Sequence, residues 1–273
     1  MSSVRVDVWS DVACPWCWVG KRNLEAAARE AGLELDVRWH AFELDASAPR
    51  THDPSIPYVD RLARKYGASP AQAQQMVDRM TGVGEGVGID FRFDRARPVN
   101  TFDAHRLLAW AAQSGKQDAL KERLFKAYMH EGKLLTDRDV LVDLAADAGL
   151  DPEHATAVLS GEDFAREVRE DEAAAAELGV TGVPFFVVDG RFAIPGAQPP
   201  DAIVRVLARA QEEAEAVEPE TAAGEVCGPM AVLSQAEPGG APRARERTRP
   251  RVRAQALRGD ALRSSRSRAY QVA

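Results

Sequence analysis

The period of the apolar residues switches twice before position 42, and this switch constrains the fold more than any other feature of the chain. Val4, Val6 and Val8 alternate with Arg5 and Asp7, the period of a strand with one packed face. Leu24, Ala27, Ala28 and Ala31 then recur at helical spacing, and Gly32 offers a stop. Leu33, Leu35, Val37, Trp39 and Ala41 alternate again. Strand, helix and strand in so short a span predict a βαβ unit, with parallel strands and a right-handed crossover.

The next stretch, from about Pro57 to Leu178, carries helical patterns such as SPAQAQQMVDRM, TFDAHRLLAWAAQSG, LKERLFKAYMH and DRDVLVDLAADAG. Ser69, Thr101 and Thr136 each stand where an N-cap belongs. The interruption TGVGEGVGID, with Gly82, Gly84, Gly86 and Gly88 alternating, follows no strand; it is expected to be a flexible connector, not a phosphate loop. Strand character returns in Val183–Val188 and Arg191–Ile194 around Asp189-Gly190, a strong hairpin signal. Pro199-Pro200-Asp201 then opens a last helix bearing Ile203, Val204, Leu207 and Ala210 on one face. The order β-α-β, helices, β-β-α predicts an α/β chain, a thioredoxin fold with an inserted all-helical subdomain. The expected division is 1–56, 57–178 and 179–216, with 217–273 a disordered, arginine-rich tail because apolar periodicity stops there.

Composition narrows the compartment and the partners. The chain is 45% hydrophobic and 28% charged, as soluble globular proteins are, and no segment approaches the ~18 consecutive apolar residues of a membrane span. MSSVRVDVWSDV shows no basic stretch followed by an apolar run, so the expected location is the cytoplasm. Residues 241–273 carry ten arginines against Glu246 and Asp260, a net +8, which leaves −15 on residues 1–240 of a chain whose total is −7. Such a tail attracts nucleic-acid phosphates, but only Tyr270 accompanies the cations, so a solvated extension is the expected reading.

Only three cysteines are present, and two of them, Cys14 and Cys17, stand in CPWC at the predicted strand–helix junction. Four readings compete: a redox pair, half a metal site, a structural disulfide and inert buried thiols. A reducing compartment and an odd cysteine count argue against stapling. Zinc requires further ligands, and the remaining candidates are Cys227 and the scattered His40, His52, His105, His130 and His154. A thiol at a helix start lies beside unpaired N–H groups and the positive dipole end, which predicts a lowered Cys14 pKa and a nucleophilic thiolate. Cys17, one turn on, then resolves the mixed disulfide. Trp16 and Trp18 add apolar surface for the second sulfur or for a substrate. Pro184 opens a strand in TGVPFF, a place that tolerates proline; in thioredoxin folds a cis-proline there packs against the CxxC sulfurs.

SDVACPWCWVGKRNLEAA, RPVNTFDAHRLLAWA, ELGVTGVPFFVVDGRFAIPGAQ and the final helix together resemble the FrnE-like branch of the DsbA family, over about residues 4–212. That branch also contains 2-hydroxychromene-2-carboxylate isomerases and kappa-class glutathione transferases. The resemblance implies a thiol–disulfide oxidoreductase, or protein disulfide isomerase, exchanging disulfides with protein substrates. Cys14 and Cys17 would be the redox pair, Pro184 the cis-proline, and Val183 the residue whose backbone meets an extended substrate. Asn100, Thr101 and His105 match a segment lining the isomerase site, although a turn residue, a helix cap and a solvated helix residue explain them equally. Isomerases of this group carry serine where Cys14 stands. The relatives' tail cysteine pair is also incomplete here, because Cys227-Gly228-Pro229 has no partner. No dissociable cofactor is expected, since the dithiol carries the electrons; glutathione is a possible reductant or co-substrate. The rival functions are a glutathione-dependent enzyme acting on a small aromatic compound and a chaperone-like binding protein.

Overall fold

A computed structural model describes residues 3–217. The expected disordered tail and Cys227 lie outside these residues. A four-stranded sheet in the order β2-β1-β3-β4 is built from β1 (Val4–Ser10), β2 (Leu35–Ala41), β3 (Phe185–Val188) and β4 (Phe192–Pro195). β1 runs parallel to β2, from Val4 opposite Leu35 to Ser10 opposite Ala41, and α1 (Pro15–Ala31) makes the crossover. β3 lies antiparallel on the other side of β1, with Val6 opposite Val188 and Trp9 opposite Phe185. The two-residue strand period sends Val6, Val8, Phe186 and Val188 to one face. There they pack with Leu24 and Ala27 of α1 and with Ile203, Leu207 and Ala210 of α9 (Pro200–Val217). The hairpin between β3 and β4 turns at Asp189 and Gly190, φ +52° and +67°, the mirror-image turn that matches strand twist.

Between β2 and β3 the chain forms α2 (Tyr58–Tyr66), α3 (Pro70–Gly86), α4 (Phe102–Ala112), α5 (Gln117–Lys126), α6 (Arg138–Asp147), α7 (Pro152–Ser160) and α8 (Ala165–Glu177). A π-helical turn, Ala127–Glu131, extends α5. These helices do not bury their apolar faces only on one another. Leu107, Leu120, Leu124, Phe125 and Met129 share one continuous core with Trp9, Cys14, Cys17 and Trp18. The inserted layer is therefore seated directly on the β1–α1 turn.

Two polar devices fasten this layer to the sheet. Gln117 accepts from the Trp39 N–H at 2.9 Å and donates to the Trp39 carbonyl at 2.8 Å, closing the outer edge of β2 as another strand would. His40 of β2 lies between two carboxylates, 2.9 Å from Asp7 Oδ1 on β1 and 2.7 Å from Asp171 Oδ1 on α8, and stacks on Trp9. Burial lowers the His40 pKa, but the bonds to Asp171 and Asp7 outweigh it and raise the value to about 9.

Two local expectations need correction, and a third, the Thr101 cap, holds in position but not in bonding. The alternating glycines are not a connector: α3 continues through Gly82 and Gly84 to Gly86. A Cβ on Gly84 would stand 2.4 Å from the Phe91 ring, so this glycine is the seat of an aromatic side chain, which the every-second-residue reading concealed. Thr136 is not the cap of α6; Asp137 is, accepting from Asp139 N–H at 3.0 Å, while Thr136 donates to Arg50 O. Thr101 occupies the cap position of α4 without a side-chain bond, and Asn100 Oδ1 accepts from the Phe102 N–H instead.

Candidate active site

The β1 strand ends in a tight turn, closed by Cys14 N–H to Asp11 O at 3.1 Å and by Ala13 N–H to Asp11 Oδ1 at 3.1 Å. Cys14 is the extended N-cap of α1 and Pro15 its first helical residue, where the missing N–H has no cost. Cys17 sits one turn on, its N–H bonded to Cys14 O at 3.1 Å. Both side chains are free thiols and both are fully buried. Cys14 Sγ donates to Val183 O at 3.5 Å, and Pro184 follows through a cis peptide bond. Gly20 on α1 makes room here: a Cβ on it would stand 2.9 Å from Pro184 Cγ and 3.0 Å from Phe186 Cζ.

The electrostatics of this turn differ from the lowered thiol pKa expected of a helix start. Cys14 is pushed well up, first by its hydrogen bond with Cys17, then by burial, with negative Asp11 adding to both. The Cys17 backbone N–H pulls the other way and is outweighed. The Cys17 bond and burial together set the sign: the bond favours the protonated sulfur, and a fully covered sulfur loses the water that helps a helix N-terminus hold a charge. Burial also raises the Asp11 carboxyl, yet His105 and the N–H groups of Leu44 (2.8 Å) and Ala13 hold it below the usual carboxylate value. Asp11 is thus a fixed negative charge three residues before Cys14.

A cation opposes it. Lys121 of α5 is completely buried, its ammonium 3.3 Å from Ser10 O and over the faces of Trp39 and Phe125. Burial lowers its pKa to about 8, with Cys17, Asp11 and Cys14 countering the fall. Sequence reasoning missed Lys121. The available signal was its position among Leu120, Leu124 and Phe125, on the apolar stripe of α5.

The residues expected from the sequence are only partly assembled. Cys14, Cys17, Val183 and Pro184 come together, and Trp16 joins Cys14 in a cavity wall. Trp18 is a core residue, stacked on Phe125 and donating to Glu122. His105 is not solvated: it is 2% exposed, and its Nε2 lies 3.4 Å from Asp11 Oδ1, beneath the CPWC turn and outside the cavity. Asn100 holds the preceding loop, donating to Glu43 at 3.0 Å from its side chain and to Pro49 O from its backbone; it does not line the cavity. The cavity itself, about 1090 Å³, opens between the CPWC turn and α2–α3, with Tyr58, Phe93, Met80 and Tyr128 in its apolar walls. Among the described residues, no group of three histidine, cysteine or acidic side chains is placed to hold a metal ion.

A buried dithiol capping the first helix of such a sheet defines a thioredoxin-fold protein of the DsbA kind. Residues 5–208 match the DSBA-like thioredoxin domain, and the chain belongs to that family. It is 38% identical to a probable DsbA oxidoreductase from Streptomyces coelicolor, whose crystal structure superposes with a TM-score of 0.72 over 83% of this chain and 97% of that one. It is also 28% identical to the uncharacterized protein YwbO of Bacillus subtilis, over 77% of this chain and 99% of that protein. The cytosolic disulfide reductase DsbM from Pseudomonas aeruginosa shares the fold, with a TM-score of 0.52 at 22% identity over 77% of this chain and 99% of that one.

Proposed function

We propose that the protein catalyses thiol–disulfide exchange through Cys14 and Cys17. The observation that carries this reading is the pairing of two thiols one turn apart at the start of α1, with Cys14 against the Val183 carbonyl. In the reducing direction the Cys14 thiolate attacks a substrate sulfur and the substrate disulfide breaks. The departing thiolate takes a proton, leaving a mixed disulfide on Cys14. Cys17 then attacks Cys14 Sγ, releasing the second substrate thiol and closing the Cys14–Cys17 disulfide. Two electrons pass to the substrate, and the dithiol is the only carrier required. The ordinary cytoplasm would return the protein to its dithiol form, which favours a reductase or isomerase over an oxidant. Glutathione is a candidate reductant, a suggestion strengthened by the glutathione-bound structure of DsbM.

Equilibration in glutathione buffers of graded potential, with free thiols counted, tests this reading. The expected result is a reversible two-electron transition that disappears in Cys14→Ser. Absence of any transition over the accessible range would reject it.

The cavity favours one second reading, glutathione-dependent conversion of a small aromatic compound, because its aromatic walls and size suit a small molecule. Cys14→Ser separates the two, since it abolishes exchange and spares an isomerisation that needs only bound glutathione.

A further inference from the structure

The α2–α3 wall of the cavity carries a charge pattern opposite to the acidic balance of residues 1–240. Arg61, Arg64 and Lys65 of α2 and Arg79 of α3 line it, against only two acidic residues, Asp11 and Asp45. Both carboxylates are already engaged. Asp11 accepts from Leu44 and Ala13, and Asp45 accepts from the Ser47 N–H and hydroxyl at 3.0 and 2.6 Å. The cations are not neutralised in the same way: among the described residues, none of the four takes part in an ion pair, although twenty-three are formed elsewhere. Arg61 is positioned by the carbonyls of Ile56 and Asp53, which fix the guanidinium without cancelling its charge. This positive rim belongs to a chain whose first 240 residues sum to −15, so it is not a by-product of composition.

The sulfur is also covered. Cys14 forms part of the cavity wall yet presents no accessible surface, so the side chains over it must part before a disulfide reaches the sulfur, and a small disulfide demands the least movement. A disulfide held rigidly on the surface of a folded protein is poorly shaped for that approach, and a slim one is well shaped for it.

We propose that the α2–α3 wall makes this site selective for small disulfides bearing negative charge, with the carboxylates steered by Arg61, Arg64, Lys65 and Arg79 while the disulfide passes to Cys14. The inference rests on the exchange reading and adds the substrate class to it. Clefts lined by one sign of charge concentrate ligands of the opposite sign and accelerate encounter, and the effect falls with ionic strength.

The test oxidises the pre-reduced full-length protein with three disulfides that differ chiefly in charge: 3,3′-dithiodipropionate, 2-hydroxyethyl disulfide and cystamine. Each rate is divided by the rate at which dithiothreitol reduces the same compound, which removes intrinsic reactivity. The expected order is dicarboxylate, then neutral, then diamine, with about a tenfold span in dilute buffer. That span should collapse in about 1 M salt, where the screening length is about 3 Å. In the double variant Lys65→Glu/Arg79→Glu, the dicarboxylate-to-diamine ratio should fall below that of the native protein. Equal normalised rates, or the reverse order, in the native protein would overturn the inference without any variant being made. Failure of all three disulfides to oxidise Cys14 would instead remove the exchange reading, and the inference with it.

Discussion

The ammonium of Lys121 has no exposure to solvent and lies 3.3 Å from the carbonyl of Ser10, on the strand that leads into the CPWC turn. A buried cation so placed favours any thiolate formed in the Cys14–Cys17 pair, and only the reduced protein has one. With its pKa lowered to about 8, Lys121 is mostly protonated at neutral pH. Lys121→Met is therefore expected to raise the pH at which the thiolate absorbs and to make the protein a stronger reductant by about tenfold in the exchange equilibrium, roughly 30 mV. Thermal stability should be kept or improved, because an apolar side chain of similar length removes the desolvation cost. An unchanged potential would show that Lys121 acts only in packing.

Cys14 and Cys17 are expected to fail differently. Cys14→Ser removes the attacking sulfur and should abolish exchange. Cys17→Ser keeps attack and loses resolution, so a mixed disulfide should accumulate, visible by intact-protein mass spectrometry after reaction with one equivalent of a disulfide. Accumulation on the wrong single mutant would reverse the two roles.

Gly20→Ala tests the packing behind Pro184. The new Cβ would lie 2.9 Å from Pro184 Cγ, a contact that real structures avoid, and the proline ring cannot swing away as a flexible chain could. Overpacking of this kind costs about 1–3 kcal/mol. The melting temperature should drop, and the exchange rate should fall with it because the Val183–Pro184 segment faces Cys14. Native-like melting would mean that α1 yields instead.

The clamp of His40 between Asp7 and Asp171 should show in the pH dependence of stability. Its pKa in the folded chain is raised from 6.5 to about 9, so the folded state holds this proton more tightly than the unfolded state. The stabilisation is fully present below pH 6.5 and is lost as pH climbs through about 9. Urea midpoints should decline across that window for the native protein and stay flatter for His40→Asn. The variant itself should be less stable by about 3 kcal/mol at neutral pH, since it removes the cation between two carboxylates of which only Asp7, among the described residues, keeps another, Arg5 at 2.8 Å.

The parts of this molecule that were legible in the sequence are those written in local periodicity. Val4, Val6 and Val8 announced β1, Leu24, Ala27, Ala28 and Ala31 announced α1, and Asp189-Gly190 announced the hairpin. The charged groups beneath the turn were not legible in that way. His105 reads equally as a site residue and as a solvated helix position, and Lys121 draws no notice, because helical periodicity shows which face is apolar but not what covers it. Their burial follows from α4 and α5 packing against β2, a contact between segments more than sixty positions apart in the chain. The sign of the Cys14 shift was lost for the same reason. A helix start is visible in sequence, but the bond to Cys17 comes with the folded turn and the loss of water around the sulfur with the layers that bury it.

The bond from Cys14 to Val183 spans 169 positions. A ribosome adding about 5–20 residues per second needs roughly 10–30 s to cover that distance. For that interval the nascent chain carries a finished CPWC turn while the segment that will shield it has yet to be made, and β1 lacks its antiparallel neighbour. The newborn protein therefore meets the cell's small thiols and disulfides with its sulfurs bare. Their redox state on completion is set by the surroundings in which translation takes place, before the cavity can exercise any choice.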